Sequence, residues 1–421
     1  MNKSDNPTLP GIHPCRFRMR RTVLRPIKYS CAAFCLSGLL AAAPLFAACT
    51  PITAQAAARN DSPEFARTPQ EWERLRDNRL EYDEIPDLIH EYNTTVINNR
   101  IEYRDYRGKD RKDTAQRYRD TAREIRENIS YPDDPTDMSY ATMLMAAQTS
   151  ETTAKNLEEM ADNNVDDAQV ISMQYEQVEE NLVLSTRLNL ISYYQKLLNQ
   201  KLTEENQKLL ELQYEVAQNQ AAAGTATQLE VLNARQAIEQ QSSTIINDSR
   251  ETETLKQQIC LATGWSYNAE PEFGPLPDLD PEVILQIDLE ADRARALETN
   301  YTLKINRRKY ENSTSERNQK TLEETIRDNQ QKISSDVQTK YNTLLNAAMS
   351  FELAQTEETV AAQNLAAMEI KFQTGLASRL EYQQEQFNLT SKTIAVENAK
   401  LSLFSAWVSY QGAVDGLAAA Q

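Results

Sequence analysis

"KFQTGLASRLEY", residues 371–382, holds Gly375, the first glycine after Gly274 and the end of one hundred residues without one. Glycine just past a helix end can take the left-handed backbone conformation that other residues adopt only at a cost. Ser378 follows, with Glu381 three residues on. That pairing is a capping box, in which side chain and backbone satisfy each other at the start of a new helix. The stretch therefore predicts a helix running into Gly375, a tight tip, and a second helix running back. "AAAGTATQLEVL" (221–232) sets Gly224 before Thr227 and Glu230 in the same way, 151 residues earlier. Both stretches read as tips of helical hairpins. A turn is the minimal reading of each; a docking surface would be an addition to it.

The segments that feed these tips have helical composition. All ten prolines beyond residue 50 lie in 51–135 and 271–281, so 136–270 and 282–421 contain none. Ile171, Tyr175, Val178 and Leu182 step at helical intervals, as do Ile191, Tyr194, Leu198 and Leu202. Leu209, Leu212 and Val216 continue one narrow apolar stripe, which suits coiled-coil-like packing better than a thick core. A helix over about 163–222 would run roughly 90 Å. Val337, Tyr341, Leu344, Ala348 and Phe351 repeat the logic, as do Ile394, Leu401, Phe404, Trp407 and Val408. "SYNAEPEFGPLPDLDPEVI" (266–284) interrupts the helices and reads as a linker between two halves.

The halves resemble each other. "EYNTTVINNRIEY" (91–103) and "ETNYTLKINRRKY" (298–310) share Glu91/Glu298, Asn93/Asn300, Thr95/Thr302, Asn99/Asn306, Arg100/Arg307 and Tyr103/Tyr310. "YYQKLLN" (193–199) matches "KYNTLLN" (340–346), and "GTATQLE" (224–230) matches "GLASRLE" (375–381). Three matches in one order predict two tandem structural repeats. The fold class expected is all-α, built of elongated long-helix hairpins with little or no β.

The first residues differ in kind. Arg16 to Lys28 supply a basic segment ahead of the apolar run "CAAFCLSGLLAAAPLFAA", the pattern of an export leader. "LFAAC" ending at Cys49 resembles a lipoprotein signal, while "AQA" (54–56) suits ordinary cleavage before Ala57; Met19 is an alternative start. Four of five cysteines fall by residue 49 and only Cys260 remains in the body, so no internal disulfide framework exists there. A net charge of -17 argues against nucleic acid as a partner. His13 and His90 are the only histidines, and no metal-ligand spacing, phosphate loop or nucleophile motif appears. Neither an enzyme nor a metal or cofactor protein is expected.

The tip segments "YEVAQNQAAAGTATQLEVLNARQAIEQQ" and "MEIKFQTGLASRLEYQQEQFNLTSK", with the repeated order, resemble the TolC-like outer membrane efflux protein family over about 80–416. That resemblance implies a homotrimeric α-helical barrel in the cell envelope. Its tips would meet a periplasmic adaptor (membrane fusion) protein of an export ATPase or pump. Gly224, Thr225, Ala226, Thr227 and Leu229 would sit at that docking end, with Gly375, Leu376, Ala377, Ser378 and Leu380. The chain would divide into a leader (1–48), a tether or first short helix (49–84), a first helical repeat (85–265), the linker (266–284) and a second repeat (285–421), membrane-associated through a lipid on Cys49.

One departure from the family is expected. The family inserts a β-hairpin in each copy. Here only 41 residues separate Asn300 from Tyr341, and Ser313-x-x-Glu316 reads as another capping box in a tight turn or an unbroken helix. Copy one has room, but 104–128 is dense in Arg and Asp, "YPDDP" (131–135) is a turn, and "SYATMLMAAQTS" (139–150) reads as a helix starting after Asp137, with a strand as the alternative. The alternative reading of the whole is a lipid-anchored helical scaffold without channel activity.

Overall fold

The computed structural model describes residues 67–136 and 138–420. The leader, Cys49 and Asp137 lie outside them. The chain opens with α1 (Pro69–Arg74), a two-residue strand β1 (Arg79–Leu80), a 3-10 turn (Tyr82–Glu84), α2 (Ile85–Tyr92) and α3 (Thr94–Tyr106). Two helices, α4 (Arg111–Glu127) and α5 (Tyr140–Asp162), form a side hairpin. The first long pair is α6 (Ala168–Ala222) and α7 (Gln228–Ala262). Strand β2 (Glu272–Phe273) pairs in parallel with β1, and α8 (Glu282–Leu285), α9 (Leu289–Thr299) and α10 (Tyr301–Asn312) follow. The second long pair is α11 (Glu316–Gln373) and α12 (Arg379–Gly412), ending in a π-turn (Ala413–Leu417). Among the described residues β1 and β2 are the only strands, so the all-α expectation holds.

The long helices lie side by side. α6 packs on α7, α11 on α12, and α12 on α6, giving the order α7–α6–α12–α11. Gln195 donates to Ser402 at 3.0 Å and Asn398 to Asn199 at 2.9 Å. Four residues forward on α6 thus match four back on α12, so the two run antiparallel. Continued at that register, Gly224 lies level with residue 373, beside Gly375. Both tips are at one end of the molecule.

Burial is concentrated at the other end. Leu80, Ile85, Leu88, Ile89, Val96, Leu190, Ile191 and Ile259 form one cluster. Leu303, Ile333, Val337, Leu344, Tyr410 and Val414 form a second. Each such aliphatic side chain contributes about 1.5–3 kcal/mol by leaving water. Phe404 and Val408 of α12 sit in the first cluster while Leu403 and Tyr410 of the same helix sit in the second, so α12 ties the halves together. Towards the tips this core disappears. No residue from 192 to 251, nor from 362 to 393, is buried. There the four helices are a single layer with two open faces.

Several expectations need correction. Ahead of residue 85, Leu75, Leu80 and Tyr82 are buried, and β1 pairs with β2 from the 266–284 segment. The linker itself packs, with Leu276 and Leu279 against the cores. The capping box at Ser313 does not form. Ser315 is the N-cap without a side-chain bond, while the Ser313 hydroxyl, buried, donates to the Ser315 carbonyl. Burial draws Ser313 inward, away from the Glu316 amide. Along α6 the fully buried positions are Val170, Val183, Thr186, Leu190 and Ile191, and Val178 of the expected stripe is exposed. Here α6 receives α2, α3 and α10 as well as α7 and α12, so several faces are covered in turn. The helix expected after Asp137 is α5, with Ser139 as N-cap.

Candidate functional site: the paired hairpin tips

Each tip is closed by hydrogen bonds that its sequence dictates. At the first, Gly224 has φ 76° and donates to the Ala221 carbonyl at 3.1 Å, while the Thr225 amide reaches the Gln220 carbonyl at 2.8 Å. At the second, Gly375 has φ 74°, donating to Phe372 at 3.0 Å, and Leu376 reaches Lys371 at 2.7 Å. This double closure is the Schellman motif, and it satisfies carbonyls that a helix end would leave bare. Thr227 then accepts from the Glu230 amide at 3.2 Å while Glu230 accepts from the Thr227 amide at 2.7 Å. Ser378 and Glu381 do the same at 3.2 and 2.7 Å. The amide and hydroxyl of Ser378 hold the Glu381 carboxyl below its ordinary range.

The tips are rigid in backbone and bare in side chain. Gly224, Thr225, Thr227, Gly375 and Ser378 are exposed; Ala226, Ala377 and Leu380 are half-covered. Leu229 and Leu376 are 64% and 80% exposed, large apolar groups that nothing in this chain covers. The second tip carries a feature that spacing alone did not reveal: Phe372 and Tyr382 stack across it, with ring centroids 4.9 Å apart.

Two further glycines mark the ends of the return helices α7 and α12, which stop well short of where α6 and α11 begin. Asn93 caps α3 through the Thr95 and Val96 amides and donates to the Ala262 carbonyl at 2.7 Å. Asn300 caps α10 through the Leu303 amide and donates to Gly416 at 3.1 Å and Ala418 at 2.9 Å. The end of each return helix is thus tied to the start of its own repeat. Gly264 (φ 82°) and Gly416 (φ 122°) make the approach possible. A Cβ on Gly264 would overlap Tyr92 Cβ, and one on Gly416 would lie 2.9 Å from the Thr299 carbonyl oxygen. Tyr92 and Thr299 are the residues just before the two asparagines. The asparagines were visible as a repeat; their glycine partners were not.

The other repeated positions also carry structure. Tyr194 donates to the Phe273 and Gly274 carbonyls at 3.1 and 2.8 Å, and burial pushes its phenol up to about 12. Tyr341 packs against Tyr410, whose hydroxyl donates to Asp292 at 2.6 Å. His90 is bonded to Glu179 at 2.6 Å. Burial raises the Cys260 thiol to about 11, which keeps it protonated and inert. Among the described residues no group of side chains could hold a metal ion, and no helix is long and apolar enough to cross a membrane.

Where α6 and α11 begin, the copies diverge. Copy two passes from α10 to α11 through residues 313–315 alone, and copy one places the α4–α5 hairpin there. Tyr106 donates to Asp166, Arg111 to Asn164, and Asn312 to Val165, so the hairpin's root and the short turn share one corner.

Residues 293–413, from α9 to the end of α12, match the model of the outer membrane efflux protein family. Solved structures similar to this chain include the Campylobacter jejuni CmeC outer membrane channel (11% identity, 86% of this chain and 91% of that one, TM-score 0.46). A membrane protein from Pseudomonas aeruginosa gives 14%, 80%, 90% and 0.44. The outer membrane protein VceC from Vibrio cholerae gives 11%, 80%, 96% and 0.39. No curated protein matches. Residues 293–413 thus match an outer membrane efflux protein domain, and the first half of the chain echoes its hairpin tip and its asparagine lock.

Proposed function

We propose that three copies of this efflux-family protein close into a helical conduit in the cell envelope, docking a membrane-fusion adaptor of an export ATPase or pump through the tips. One observation carries the reading. The row α7–α6–α12–α11 is a single layer whose outer members are unpartnered along the shaft. α7 presents Leu229, Leu232, Ile246 and Leu261, and α11 presents Met349, Leu353, Val360 and Ile370, all half or more exposed. On each helix these residues fall within one third of the circumference at 100° per residue. Two apolar stripes on opposite edges of a layer fit each other on neighbouring copies, and head-to-tail contacts of that kind close into rings.

The tips suit docking because they are level, stiff and apolar at Leu229 and Leu376. The tandem repeats are proposed to span 85–265 and 285–421, joined through 266–284. A lipid on Cys49 would hold the assembly at a membrane; loss of palmitate labelling on Cys49→Ala would bear this out, and unchanged labelling would remove it. The native mass of residues 57–421, by light scattering, tests the conduit. Three times the chain mass is expected. A stable single copy would overturn the closure.

A further inference from the structure

α5 carries two stripes at heptad spacing. One faces α4: Ala147, Ala154 and Ala161 are buried against Ala115 and Ala122. Arg126 bridges Glu151 and Glu158, and Arg119 reaches Asp162 at 2.9 Å, so ion pairs tie the flanks. The other stripe is Thr142, Met145, Thr149, Thr152, Asn156 and Met160. Its steps of three and four residues place it on the side of α5 away from α4. All six residues are exposed, and none is charged. Thr149 donates to the Met145 carbonyl and Thr152 to the Gln148 carbonyl, both at 2.8 Å. Their hydroxyls are thus satisfied within the helix, and their methyl groups face outward. The exposed residues of α4 are mostly charged, among them Lys112, Asp113, Arg117, Asp120, Arg123 and Glu124, with Gln116 and Thr121 the uncharged ones.

We infer that the α5 helices of neighbouring copies pack on one another through this stripe, forming a helical collar at the end of the conduit opposite the tips. The inference rests on the three-copy reading above. The occupant is a copy of this chain for three reasons. Heptad spacing fits a partner helix, not a flat surface. An anionic surface would need cations, and no Lys or Arg occurs between Glu127 and Ala154. The hairpin rises from the corner where α6 and α11 begin, so copies ranged about one axis bring identical uncharged stripes together, with α4 outside in water. In a chain of net charge -17, an uncharged contact lets like copies meet. Asn156 within the seam would fix its register, as a single polar residue does in coiled coils.

Cysteine cross-linking of the full chain tests this. Met145→Cys is placed in the stripe and Arg117→Cys on the far side of the hairpin, each compared with the unmutated chain. Under mild oxidation Met145→Cys should shift to twice its mass on a denaturing gel; Arg117→Cys and the unmutated chain should not. Thr149→Glu/Thr152→Glu added to Met145→Cys should abolish the shift. Absence of the shift in a chain whose native mass is that of three copies would overturn the collar and leave the conduit standing. So would equal linking by Arg117→Cys. A native mass of one copy would overturn the conduit itself, and the collar with it.

Discussion

Among the described residues four glycines have positive φ, and they divide into two kinds. Gly224 and Gly375 stand in open space, with no atom within 4 Å of where a Cβ would be. Gly264 and Gly416 are pressed against the backbone that precedes Asn93 and Asn300. The conformation is nearly the same at the tips and at Gly264, but the reason for glycine is not. At the tips only the backbone asks for it; at the corners the neighbouring chain does too. Stability is therefore built at the corners, and the tips are free to be shaped by what they touch.

Substitution at the corners should break this contrast most severely if it is wrong. Gly264→Ala must strain φ 82° and displace Tyr92. A loss of about 3–5 kcal/mol is expected, from overpacking plus backbone strain, read from the midpoint of urea unfolding. A loss near that of a tip glycine would sink the distinction. Next come the asparagines. Asn300→Ala removes a cap and orphans two carbonyls, Gly416 and Ala418, at a position 1% exposed, so about 2–3 kcal/mol is expected. Asn93→Ala orphans only Ala262 and should cost about 1–2 kcal/mol. Equal losses would mean that the second carbonyl contributes nothing.

How far the fold could be read from sequence follows the same division. The tips were legible because every bond that makes them falls within six residues: glycine, then Ser or Thr, then Glu three further on. The long helices were legible from periodicity and absent proline. The corners were not, because Asn93 meets Ala262 across 169 residues and Asn300 meets Gly416 across 116. A repeat comparison extended to Gly264 and Gly416 was the one signal that could have found them. The failed box at Ser313 shows the limit of local motifs: the residues were right, but tertiary packing buried the serine. The stripe on α6 failed for a related reason, since one periodic pattern cannot describe a helix whose neighbours change along its length.

The tip glycines sharpen the comparison from the other side. Gly224→Ala and Gly375→Ala should each cost only about 1 kcal/mol, from positive φ alone. Under the proposed function each should nonetheless reduce capture of a membrane-fusion adaptor, and Leu376→Ser should do so with almost no loss of stability. If adaptor capture survived all three, the tips would be turns and no more.

The smallest effect is a titration. Glu381 has its carboxyl held down first by the Ser378 amide and then by its hydroxyl. Its folded value lies below the unfolded one, so the stability it contributes is present above the unfolded value, near 4.5, and fades as pH falls through the folded value. Amide exchange at Ser378 and Glu381 should therefore stay slow down to about pH 5 and quicken below it, relative to the intrinsic rate. Glu381→Gln keeps the acceptor but loses the charge, and should flatten that dependence while leaving the turn closed by the Leu376 amide. A pH dependence that survived Glu381→Gln would assign the loosening to another carboxylate and remove this capping box from the account of why the second tip is stiff.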